Sequence, residues 1–143
     1  MNARRAATAG VLGTLAMTML FLVEPLLGLP HMAEGGILST VMSATVAHLP
    51  VGVAGGWLIH FAVGIGLALL YASKVEHRLP GPSVVRGTAY GGLVFVGAQV
   101  VLMPLVGAGV FSRGDAGRLM GSLAGHLLYG AVVGWYVGRG VRS

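Results

Sequence analysis

Two histidines stand in matched surroundings. His60 has Gly56 four residues before it and Gly64 four after, and His126 has Ser122 before it and Gly130 after. Four residues is slightly more than one helical turn, so each set shares a face if its segment is a helix. A neutral imidazole is a good metal ligand, and two that face each other can hold the iron of a b-type haem from both sides. Small residues one turn away would leave room for the ring, and Arg113 and Arg118 are candidate partners for its propionates. A plainer use competes with this one. A buried histidine can donate one N–H to a neighbour and need no ligand, and Thr14, Thr18 and Gln99 are available partners. Proton transfer or a single metal ion are the remaining uses of such a pair.

Depth sharpens the question. His60 lies ten residues beyond Pro50, and His126 is a similar distance into its own apolar block. At a rise of 1.5 Å per residue, both fall about 15 Å into a hydrocarbon layer about 30 Å thick. An ionisable group there is costly and is a functional candidate by default.

The elements that must carry these residues are apolar. The chain has 143 residues, 55% hydrophobic and 9% charged, with a mean hydropathy of +0.85. A soluble domain carries about a quarter charged residues, so a soluble enzyme is excluded. The apolar residues fall into four blocks, near Ala6–Val23, Val51–Tyr71, Val84–Val106 and Leu119–Val137, free of Lys, Arg, Asp and Glu save for Arg86 at the start of the third. Each is close to the roughly 20 residues a membrane helix needs. Backbone groups in lipid must be satisfied within the segment, and strand-like alternation is absent, so the blocks predict helices.

The charges set an orientation. Seven of the nine basic residues, Arg4, Arg5, Lys74, Arg78, Arg86, Arg139 and Arg142, fall on one side of the four blocks. Arg113 and Arg118 fall on the other, with Glu24, Glu34 and Asp115. This positive-inside pattern predicts a multi-pass protein of the inner (cytoplasmic) membrane with both termini cytoplasmic. The net charge of +5 then suits anionic lipid headgroups, and no basic–aromatic alternation points to nucleic acid. The first block is too long for a leader and lacks a small-x-small cleavage site, so it reads as a retained span. With no cysteines, disulfides, thiolate chemistry and iron–sulfur sites are excluded.

The chain reads as a single membrane domain, 1–143, of two similar halves, approximately 1–80 and 81–143. Arg5, Gly10, Leu12 and Pro25-Leu26-Leu27-Gly28 in the first half match Arg86, Gly91, Leu93 and Pro104-Leu105-Val106-Gly107 in the second. Gly56, His60, Gly64 and Tyr71 match Ser122, His126, Gly130 and Tyr136. Each half is then a helical hairpin, and both point the same way, which implies a pseudo-two-fold axis along the membrane normal. The fold expected is an all-α bundle of four transmembrane helices. It carries one addition, a short external amphipathic helix with Ile37, Leu38, Val41, Met42 and Thr45 on one face.

Glycine spacing suits close packing: Gly52 and Gly56, Gly121 and Gly125, and Gly130 and Gly134 are each four apart. Helices in lipid associate through such small residues. Trp57, Tyr71, Tyr129, Trp135 and Tyr136 read as partly interfacial aromatics. Glu24, His31, Glu34 and His48 are a second metal candidate, with a spacing that matches no metal signature. No nucleophile motif or phosphate loop is present.

The run Ala9-Gly10-Val11-Leu12-Gly13-Thr14-Leu15-Ala16-Met17-Thr18, with Pro25-Leu26-Leu27-Gly28-Leu29-Pro30 after it, resembles an uncharacterised family of small four-span prokaryotic membrane proteins. That resemblance implies the architecture and supplies no activity, cofactor or site residue. Two functions are therefore expected. One is a b-haem electron-transfer protein or subunit with His60 and His126 as axial ligands and no enzyme activity of its own. The other is a non-catalytic accessory or scaffold subunit, a homo-oligomer or part of a larger membrane complex, with a small oligomeric transporter as a third class.

Overall fold

Runs of Leu, Ala, Val and Met with internal glycines, bounded by polar and proline-containing segments, form four long helices in the computed structural model. It describes residues 2–23, 26, 45–46, 49–50, 52–105 and 109–139. The helices are α1 (Ala3–Val23), α2 (Gly52–Leu70), α3 (Ser83–Gly97) and α4 (Ala116–Gly138). Two of them continue past their α-helical bounds. A π turn, Tyr71–Val75, and a 3-10 turn, Glu76–Arg78, extend α2, and a π turn, Ala98–Leu102, joins α3 to a last helical turn, Met103–Leu105. In each π turn the backbone N–H reaches five residues back, Glu76 to Tyr71 and Met103 to Ala98. The second lies just before Pro104, which has no N–H and whose ring would crowd the Val100 carbonyl of a regular helix. The wider turn removes that conflict.

Three helices, Ala3–Val23, Gly55–Arg78 and Ser83–Leu105, are long and apolar enough to cross a membrane. The fourth has the length, 23 residues, but a more polar and glycine-rich composition. Its place in the bundle explains this. α4 packs against both α1 and α3, and α1 also packs against α2. Its Ser122, Gly125, Tyr129, Gly130 and Gly134 are buried against these neighbours. A helix covered by protein on several sides has less need of apolar side chains than one with a broad exposed face. Outward positions on the other helices are apolar, among them Leu58, Val63 and Leu93.

The tightest contact is α3 on α4. A methyl group added at Gly87 would run into the Gly130 carbonyl, and one added at Gly130 would run into the Gly87 carbonyl. Gly91 and Gly134 extend the seam in both directions, against His126 and Ser83. A looser counterpart joins α1 to α2, where Gly10 lies on Gly64 and Ile65. α4 begins at Asp115, whose carboxylate accepts from the Arg118 backbone N–H at 3.0 Å, a regular N-cap. The turn before it carries Phe111, Ser112 and Arg113 at positive φ.

Two sequence expectations change here. Thr45, expected on the external helix, is extended and pairs with Pro50 in a two-residue antiparallel ladder, Thr45–Val46 with Leu49–Pro50. The rest of that expected helix, Ile37 to Met42, lies outside the described residues. Tyr71 and Tyr129 are interior, 0% and 3% exposed. Each hydroxyl can reach a carbonyl across a helix contact, which makes the interior tolerable for a phenol.

The seam makes a quantitative prediction. Gly130→Ala overpacks it and lowers thermal stability in detergent by about 1–3 kcal/mol. Gly97→Ala, which meets open space, leaves the unfolding midpoint unchanged or slightly higher.

Candidate functional site

His60 and His126 sit on α2 and α4, and each is turned toward a different neighbour. His60 faces α1. Its Nε2 lies 3.2 Å from Thr18 Oγ1, and the Thr18 hydroxyl is 2.8 Å from the Thr14 carbonyl. A carbonyl only accepts, so the one hydroxyl proton goes to it. His60 Nε2–H must then donate to Thr18, which leaves Nδ1 as a lone pair. Trp57 and Phe61 both flank the ring edge-on.

His126 lies toward α3. Its Nδ1 is 2.7 Å from the carbonyl of Ser122, one turn back, so Nδ1 carries the proton and Nε2 is the lone pair. Phe95 of α3 packs edge-on at 5.9 Å.

Gln99 completes the second histidine's surroundings. Fully buried, it donates through Nε2 to Ser122 Oγ at 3.1 Å and accepts from Ser112 Oγ at 3.2 Å. One side chain thus ties the left-handed turn before α4, the π turn that ends α3, and the helix of His126. Sequence reading had Gln99 only as an available partner. A lone amide in an otherwise apolar span was the signal that it had to be satisfied inside.

Further along the bundle, three tyrosines bind carbonyls. Tyr129 donates to Gly64 at 2.6 Å, Tyr90 to Leu67 at 2.9 Å and Tyr71 to Ser83 at 3.4 Å. These bonds join α4 to α2, α3 to α2 and the end of α2 to the start of α3.

The small residues expected beside a porphyrin are used otherwise. Thr14 Oγ1 fills the space where a side chain at Gly64 would begin. Gly130 is closed off by Gly87 and Gly91, and Ser122 is engaged by Gln99. Gly56 is buried one turn before His60. Free imidazole nitrogens suit iron, but three of the four positions meant to cradle a ring, Gly64, Ser122 and Gly130, are taken up by neighbouring helices. These contacts give a haem between His60 and His126 no support. Arg118, a candidate propionate partner, is paired with Asp115 at 3.3 Å, and Arg113 lies in the left-handed turn.

The second metal candidate, Glu24, His31, Glu34 and His48, lies outside the described residues. Among the described residues no group of three or more His, Cys, Asp or Glu comes together.

Removing Gln99 tests this network. Gln99→Leu deprives the Ser112 and Ser122 hydroxyls of their shared partner and costs about 1–3 kcal/mol. Thr18→Val, which takes away one imidazole partner, costs less; chemical or thermal unfolding of the two variants in detergent gives the order.

No curated protein and no solved structure matches the chain. A family match spans nearly all of it, residues 1–142, and the chain belongs to that family of unknown function, DUF6789.

Proposed function

We propose that the chain is a four-span protein of the cytoplasmic membrane, with both ends on the cytoplasmic side, that acts as a non-catalytic accessory or scaffold subunit of a homo-oligomer or larger complex. The observation that supports this is how its small residues are used. Gly64, Gly87, Gly91, Gly130 and Gly134 bring helix backbones together, and Gly64, Ser122 and Gly130, next to the histidines, leave no open slot. Such a bundle is stiff, and stiffness suits a part that positions other parts.

The four spans and the duplication have their own support. Gly10 on Gly64 recurs as Gly91 on Gly130. Thr18 beside His60 recurs as Gln99 on Ser122, next to His126. Arg5 donates to the Tyr136 carbonyl and Arg86 to the Glu76 carbonyl. In every case α1 exchanges with α3, and α2 with α4, as two parallel hairpins about an axis along the membrane normal require. The 23 residues of α4 reach about 35 Å, enough to cross, and its polar positions are shielded by its neighbours.

Neither haem chemistry nor proton relay gains from the geometry. The three tyrosine protons point at carbonyls, which only accept, so a proton arriving there has no onward path. A transporter working through this bundle would also have to part the glycine seam.

Two measurements test the reading. The cysteine-free background allows single-cysteine labelling: His77→Cys is expected to react with an impermeant thiol reagent only from the cytoplasmic side, and Val110→Cys only from outside. Equal labelling of both from one side would overturn the four-span topology. Protein purified in mild detergent is expected to be colourless and to give no sharp reduced α and β bands after hemin is added. A low-spin spectrum lost in both His60→Ala and His126→Ala would restore the haem reading and overturn the scaffold.

A further inference from the structure

Arg86 stands in the first turns of α3 and reaches across to the end of the extended α2. Its NH1 donates to the Glu76 carbonyl at 2.8 Å, while its Nε is buried and has no hydrogen-bond partner. A buried donor left unmade is costly, the more so on a charged group. What completes it must be an acceptor, and the surroundings say of what kind. Lys74 and Arg78 are exposed on the same turn region as Glu76, and among the described residues no carboxylate pairs with Lys74, Arg78 or Arg86. Against these three cations stands one carboxylate, Glu76, so the seam keeps a net positive charge.

Two other arginines at this end are spent on the protein. The Nε of Arg5 donates to the Tyr136 carbonyl at 2.9 Å and its guanidinium lies over the Tyr136 ring. Arg139 lies 4.1 Å over the Trp135 ring. Among the described arginines, Arg86 is the one with a buried donor unused.

The flanks of the seam are apolar and open. Leu70, one turn before Lys74, and Val85, beside Arg86, are 47% and 56% exposed. A free phosphate has no use for such flanks, whereas an acyl chain does. We propose that Arg86, with Lys74 and Arg78, binds the phosphate of an anionic phospholipid in the seam between the end of α2 and the start of α3. The proposal rests on the membrane reading above, and it gives the cytoplasmic end a specific ligand in place of a diffuse charge.

Native mass spectrometry of the full chain in mild detergent tests it, with phosphatidylglycerol, phosphatidylcholine and inorganic phosphate as probes. Phosphatidylglycerol is expected to be retained, phosphatidylcholine to bind several-fold more weakly, and excess inorganic phosphate not to displace the lipid. Arg86→Gln is expected to weaken phosphatidylglycerol about fivefold or more, the loss of one cation at the headgroup. Arg86→Lys, which keeps the charge but lacks the Nε–H, should weaken binding less than Arg86→Gln, and Arg118→Gln at the opposite end should leave it unchanged. Circular dichroism and a cooperative melt establish that each variant is folded. Unchanged affinity in folded Arg86→Gln, equal retention of phosphatidylcholine, or displacement by inorganic phosphate would overturn the site. Failure of the membrane reading is separately visible, as release from membranes by alkaline carbonate without detergent.

Discussion

Backbone-to-backbone contact between α3 and α4 is the constraint on which the rest of the bundle depends. Gly87 and Gly130 meet so closely that neither can carry a methyl group, and Gly91 and Gly134 continue the contact. In a lipid setting apolar side chains gain little by leaving lipid for protein, so van der Waals contact between close backbones must hold the helices together. That requirement fixes α4 next to α3 along much of its length. It also explains why the fourth helix can be rich in glycine and carry Ser122 and Tyr129: these are buried against protein.

Once the backbones are close, polar side chains act at short range. The interior hydroxyls of Thr18, Tyr90 and Tyr129 reach carbonyl oxygens, and Gln99 joins two serines. In a low-dielectric interior each such bond matters chiefly because leaving its groups unpaired is expensive. The histidines belong to this scheme. His60 is held by Thr18 and His126 by its own helix, so each is anchored by one nitrogen and keeps the other as a lone pair. The two halves satisfy their histidines differently, a single threonine in the first and an amide–serine group in the second.

Much of this was legible in the sequence. Helices followed from four apolar blocks, the close-packing role of glycine from spacing of four, and Thr18 and Gln99, with Thr14, as available partners from the rule that a buried imidazole finds a donor or acceptor. What spacing could not give was direction. Residues four apart share a face, but nothing local says which helix that face meets. Gly64 and Gly130 therefore read as room for a ring, although Thr14 and Gly87 occupy it. The tyrosines read as interfacial because a phenol usually sits at the boundary; Tyr71 and Tyr129 are inside because carbonyls of neighbouring helices receive them. The π turn at Ala98–Leu102 alters the helical register at Gln99 in a way no regular periodicity predicts.

Solid-state NMR of the protein in lipid, with glycine labelled at its α carbon, tests most directly whether small residues zip the helices or house a ligand. Through-space correlations between the pair Gly87 and Gly91 and the pair Gly130 and Gly134 are predicted, unchanged when hemin is added. Absence of these correlations, or their loss on adding hemin, would contradict the account and make the seam a binding slot.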